Sequence, residues 1–278
     1  MATTPHRPGI LDRVLRRDSS IVLFCVLLIV LAASWYTVAG IGMNMSAIDM
    51  TRMAGPIGEP MRMAGETRWT PTYAALIFMM WWVMMIAMMT PSAAPTVLLF
   101  TAIKRIGPDK EHASRFSLYF LVGYLVAWAV FSAIATGAQW GLELIGLSDG
   151  PMMTIRSKAL AGSVLIAAGL YQFSSLKSAC LRHCRSPAQF LAEHIRPGTY
   201  GAFRVGAIHG AFCLGCCWAL MLLLFVGGVM NLYWIVGIAI YVALEKLLPR
   251  AKWLVPLTGI ALIFIGVWLV AAPLVAQG

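Results

Sequence analysis

The chain is 278 residues long, 60% of them hydrophobic and 12% charged, with a mean hydropathy of +0.80. That is far more apolar than average soluble usage, which excludes a water-soluble globular enzyme and places the chain in a lipid bilayer. The formal charge of +10 is spread in blocks between apolar runs, so it reads as membrane topology, and nucleic acid is not an expected partner.

Hydrocarbon asks for roughly 20 mostly apolar residues per spanning helix. Seven runs come near that length: Ile21 to Gly40, Thr72 to Ile103, Phe116 to Thr136, Ser157 to Ser175, Phe203 to Val229, Leu232 to Leu248 and Leu254 to Ala272. The expected class is an all-α integral membrane protein of about seven transmembrane helices, forming one membrane domain over 1–278. Basic residues gather in 1–20 (Arg7, Arg13, Arg16, Arg17), after the second run (Lys104, Arg105, Lys110, Arg115), across 176–202 and beyond the sixth run, whereas Gln139 to Ile155 carries none. By the positive-inside bias the N-terminus is cytoplasmic, 176–202 is a basic cytoplasmic loop, 41–70 is an outer loop and the C-terminus is outside. The first run resembles a secretory signal, but Trp35 and Tyr36 extend it to spanning length, so an uncleaved anchor is expected.

Pro91 and Pro95 lie inside the second run, where each removes a backbone hydrogen bond, and a kink or an end is expected there. The nearby hydroxyls of Thr90, Ser92 and Thr96 can satisfy freed carbonyls. In the fifth run Gly201, Gly206, Gly210, Ala211 and Gly215 allow close approach of a neighbouring helix.

Sulfur is concentrated in one stretch. Twelve of seventeen methionines fall between Met43 and Met89, six of them within FMMWWVMMIAMMT. At 100 degrees per residue, Met80, Met84 and Met88 form one row, and Met85 and Met89 follow Trp81 in the adjacent row. A methionine stripe is most often packing. The polar loop before it adds Met43, Met45, Met50, Met53, Met61 and Met63, which have no core to fill if exposed, and soft thioethers prefer Cu(I).

The second constellation lies on the fifth run. His209, Cys213, Cys216 and Cys217 stand at i, i+4, i+7 and i+8, with the first three within about 60 degrees of one another on a helix. A histidine inside a span marks function and needs a partner. Side chains one turn apart on a single helix are too far apart to close a shell round an ion, so other helices must contribute; Met221 is one candidate. Cys180 and Cys184 bracket His183 near arginines and form a candidate way in or out for metal. Glu245 is a candidate partner for His209 from the sixth run. Cys25, alone in the first run, is read as a small hydrophobe.

Across HGAFCLGCCWALMLLLFVGGVMNLYWIVGIAIYVALEKLLP, with the upstream KSACLRHCRSP and MMWWVMMIAMMTPSAAP, the chain resembles the bacterial family of predicted metal-binding integral membrane proteins, domain of unknown function 2182. The resemblance spans roughly Trp81 to Pro249. It implies metal binding, with some members labelled copper chaperones, and a multi-pass place in the bacterial inner membrane. It also implies that Met84, Met85, Met88, Met89, Pro91, Cys180, Cys184, Cys213, Cys216, Cys217, Trp218, Glu245 and Lys246 are motif positions. The expected function is Cu(I) handling through thioether and His/Cys ligands, with a membrane cuproprotein or a second copy of the chain as candidate partners. The alternatives are a thiol- or metal-dependent membrane redox enzyme and a structural subunit of a larger membrane complex. Nucleotide-driven pumping is not expected, because no phosphate-binding loop is present.

Overall fold

A computed structural model describes residues 10–40, 45–58, 69–107, 110–149, 153–248 and 252–275. In chain order the helices are α1 (Ile10–Ala39), α2 (Ala47–Arg52), α3 (Pro71–Ile106), α4 (Ala113–Leu144), α5 (Lys158–Gln172), α6 (Ser175–Arg185), α7 (Pro187–His194), α8 (Gly198–Met221), α9 (Leu223–Gly227), α10 (Leu232–Leu247) and α11 (Leu254–Val275). Apart from a two-residue antiparallel ladder pairing Ser148 with Ile155 and Asp149 with Thr154, the described chain is helical, as the class expected.

Five helices among the described residues are long and apolar enough to cross a bilayer: those built on α1, α3, α4, α8 with α9, and α11. A sixth exists if α5 and α6, bent by 63° at their junction, count as one span. The bend has a local cause. Ser174 takes an extended conformation and its hydroxyl accepts from the amide of Lys177, capping a new helix just as α5 ends. The sixth expected run forms α10, whose 16 residues span about 24 Å at 1.5 Å per residue, short of a full hydrocarbon layer. Residues 176–202, expected as a loop, are mostly helical and fold against the bundle through α6 and α7.

The expected end at Pro91 does not occur, because α3 runs unbroken for 36 residues with both prolines inside it. Proline deletes one backbone bond without forbidding helical dihedrals, and neighbouring helices hold the segment in register. Met50 on α2 is buried and Met45 half-buried against the main core, so these two loop methionines do fill a core, contrary to expectation. Met43, Met61 and Met63 lie outside the described residues.

Glycine sets the closest helix contacts. A Cβ at Gly206 of α8 would collide with the carbonyl oxygen of Phe120, and one at Gly123 of α4 with that of Phe203, so the two backbones touch. The same device joins α5 to α11, where a Cβ on either Gly162 or Gly266 would meet the other's carbonyl oxygen at 2.6 Å. With lipid outside and no hydrophobic drive between helices, this intimacy supplies the dispersion that holds the pairs together. Helix α8 thereby lies at the centre, against α4 on one side and α6 on another, while α3 packs on α1, α4 and α10. The outward residues of α1 and α11, including Phe24, Leu27, Phe264 and Trp268, are apolar and exposed, as suits helices long enough to cross a bilayer.

Candidate metal centre

Both sulfur constellations point inward. Met80, Met84, Met85, Met88 and Met89 on α3, together with His209, Cys213, Cys216 and Cys217 on α8, are each 4% exposed or less. All of these except His209 belong to one core cluster, which also contains Met221 and Cys180. The helical spacing that put five thioethers on one side of α3 therefore faces them to the bundle.

Helix α6 brings the second pair of cysteines. Cys184 is half-buried and packs against the core cluster that holds Cys213, Cys216 and Cys217. The three thiols of α8, with Cys184 of α6 packed against their cluster, make up a thiol nest, and CLRHC meets CLGCC in space as well as in pattern. Cys180 sits one turn away, against Gly215, where any Cβ would come within 2.6 Å of its Sγ. The sulfurs do not yet converge on a point. Cys216 and Cys217 donate back to the carbonyl oxygen of Cys213, at 3.0 and 2.9 Å, in the manner of serine and threonine in helices. Among the described residues no three His, Cys, Asp or Glu side chains are arranged as a ready metal site. The donor set nonetheless suits a soft ion: thiols with thioethers beside them, and no carboxylate among them.

A closed polar circuit crosses four helices at Cys213. The Lys246 Nζ on α10 donates to Cys213 Sγ at 2.9 Å and to Ser92 Oγ at 3.3 Å. Ser92 donates to the carbonyl oxygen of Met89 at 2.8 Å, and the Tyr124 hydroxyl donates to that same oxygen at 3.0 Å. Tyr124 completes the ring by lying 3.1 Å from Cys213 Sγ. The circuit ties the thiol nest to the backbone of the methionine row, and the ammonium makes its contact with sulfur charge-assisted.

Glu245 does not serve His209. Its carboxylate is fully buried and paired with Lys177 of α6, whose Nζ is 2.8 Å from Oε1 and makes a hydrogen bond of 3.0 Å to Oε2. The same Nζ donates to the carbonyl oxygen of Cys216 at 3.0 Å, so this pair also abuts the cysteine helix. The imidazole of His209 lies among Phe120, Tyr124 and Phe190, with ring centroids 5.1 to 5.9 Å away, and its Nδ1 has no partner among the described residues. Cys25 is exposed on α1, away from the nest.

Towards the other end of the methionine wall, a hydrogen-bonded chain links Trp81 to Gln139 (3.0 Å), Gln139 to Glu143 (3.0 Å) and Trp69 to Glu143 (2.6 Å). A family model, PpoB2, described as copper chaperone, matches residues 78–269. The chain belongs to that family. The matched region runs from the start of the methionine block into α11 and so includes every sulfur of the nest and the wall, while α1 and α2 lie outside it. No curated protein and no solved structure matches the chain.

Sequence reasoning assigned no contact to Lys246, Tyr124 or Lys177. A signal was present for two of them: Lys177 and Lys246 are cations at or beside apolar runs, and such groups are buried only with partners. What was hidden was the identity of those partners, 68 and 33 residues away in the chain.

Proposed function

We propose that this copper chaperone family member carries Cu(I) as its cargo inside the membrane, taking it along the thioether wall of α3 and holding it at the thiol nest of α6 and α8. The single observation that carries this reading is that Cys213, Cys216 and Cys217, with Cys184 half-buried against them, share one core with the five buried methionines of α3. Holding the ion requires the sulfurs of Cys216 and Cys217 to rotate off the Cys213 carbonyl, a side-chain motion within reach of a thiol on a helix. Met80, Met84, Met85, Met88 and Met89 are the soft donors that α3 brings to the same core, and Cys180 belongs to that core from α6. His209, with a free ring nitrogen one turn before Cys213, is the one imidazole donor.

The membrane arrangement belongs to the same proposal. The N-terminus is cytoplasmic, the chain crosses a bacterial inner membrane several times, and the methionine wall begins on the outer side with the basic α6–α7 segment inside. Thioethers suit an oxidising exterior where thiols pair as disulfides, and thiols suit the reduced side. A membrane cuproprotein is the expected recipient of the ion.

Copper content of the purified protein is the test. The native chain is expected to retain copper stoichiometrically when loaded under reducing conditions, Cys213→Ser and Cys216→Ser to lose most of it, and Met84→Leu/Met88→Leu to load more slowly. Native protein that holds no copper, or a Cys213→Ser variant that holds as much, overturns the reading. A thiol-dependent electron-transfer activity that persists without metal would assign the nest to redox chemistry instead.

A further inference from the structure

The elbow between α5 and α6 borders an open cavity of about 270 Å³, one of whose lining residues, Lys177, also donates to the carbonyl oxygen of Cys216. Gln172 forms its floor at the last turn of α5, Arg182 and Arg185 reach it from the last turn of α6, and Lys252 and Pro256 close it from the start of α11. Among the described residues four basic ones line it and no acidic one does. Lys177 is already neutralised by Glu245, which leaves Arg182, Arg185 and Lys252 as charge without a matching carboxylate in the cavity wall.

Among the described residues two buried groups in the wall lack partners. Gln172 is 4% exposed, yet neither its Nε2 nor its Oε1 is hydrogen-bonded. Arg185 is pinned through Nε to the carbonyl oxygen of Glu245 at 2.9 Å, which fixes the guanidinium and leaves Nη2 buried and unpaired. An orphaned buried amide and an orphaned guanidinium nitrogen each cost stability, and a ligand rich in acceptor oxygens would satisfy both. Phosphate has that shape and charge, and guanidinium is matched to it. The remaining walls, Leu181, Val255 and Pro256, are apolar, as suits a headgroup whose glycerol and acyl portion continue into the bilayer.

We propose that this elbow is a binding site for a phosphate-bearing anion, met either as an anionic phospholipid headgroup or as free phosphate. The site is separate from the sulfur centre, with which it shares only the wall residue Lys177. Basic pockets between membrane helices are suited to such headgroups. The ligand would brace the bend that positions Cys184, since Arg182 and Arg185 flank that cysteine on α6.

Native mass spectrometry of the full-length protein in detergent, after exposure to phosphatidylglycerol or phosphatidylcholine, reads the lipid arm, and thermal unfolding with and without inorganic phosphate reads the other. Phosphatidylglycerol is expected to be retained at about tenfold the level of phosphatidylcholine, and Arg182→Gln/Lys252→Gln to abolish that preference. Both altered side chains are exposed, so the fold is kept. Gln172→Leu is expected to weaken retention with no change in net charge. Arg196→Gln/Arg204→Gln, equal in charge loss but outside the cavity, is expected to leave retention unchanged. A phosphate-induced rise in Tm that disappears in Arg182→Gln/Lys252→Gln, without lipid selectivity, assigns the site to free phosphate. Equal retention of both lipids with no phosphate effect overturns the proposal, as does an Arg196→Gln/Arg204→Gln variant that loses as much as the cavity variant.

Discussion

The two sulfur-bearing halves of the centre are built on different physics. The methionines of α3 are held by packing alone, among Trp81, Tyr124, Phe225 and one another. The cysteines of α8 are wired: Cys213 touches an ammonium and a phenol, Cys216 and Cys217 donate to a carbonyl, and the carbonyl of Cys216 accepts from a second lysine. A thioether has no proton to satisfy and adapts its shape freely, so it can be buried dry. A thiol beside buried charge cannot. The lesson is that changes to the wall should alter what the protein binds with little effect on its stability, whereas changes to the nest and its lysines should alter both.

The sharpest way to break that comparison is Glu245→Ala. It strands Lys177 in the core, and a loss of about 3–5 kcal/mol is expected from breaking a buried pair on one side, read as reduced resistance to denaturant in detergent. On the dry wall, Met84→Leu conserves volume and is expected to cost less than about 1.5 kcal/mol. A larger loss would show that the wall is wired too. Tyr124→Phe removes one hydroxyl from the circuit at Cys213 and is expected to cost about 1 kcal/mol, while also speeding alkylation of Cys213 by loosening its neighbourhood; unchanged stability and unchanged labelling would uncouple the circuit from the nest. Smallest of all, Cys25→Ser on the lipid face should stay within about 0.5 kcal/mol and leave copper content alone.

Much of this was legible beforehand. The apolar runs located the helices, and the 3.6-residue period put His209, Cys213, Cys216 and the α3 thioethers on faces that prove to be buried. Interior glycines announced the contact of α8 with its neighbour. The misses share a cause. The bend at Ser174 is made by a single capping hydroxyl at the end of the fourth apolar run, and the helix it starts is polar enough to read as a loop. Glu245 was matched with His209 by depth along a helix, yet its partner came from Lys177 on a segment read as a loop. Periodicity specifies which face a residue occupies. It does not specify which distant element meets that face, and Lys246 with Cys213 is a pairing of that kind.

Helix α3 has one further property that follows from its prolines. Without amide hydrogens, Pro91 and Pro95 leave the carbonyls of Ala87 and Pro91 lacking their usual donors four residues on, although the helix is continuous. The axial stiffness of the rod is therefore lowest in the turn that carries Met88 and Met89. Flexure at that turn would shift these two side chains within the core while both ends of the rod stay seated, giving the wall a compliance that a proline-free helix would lack.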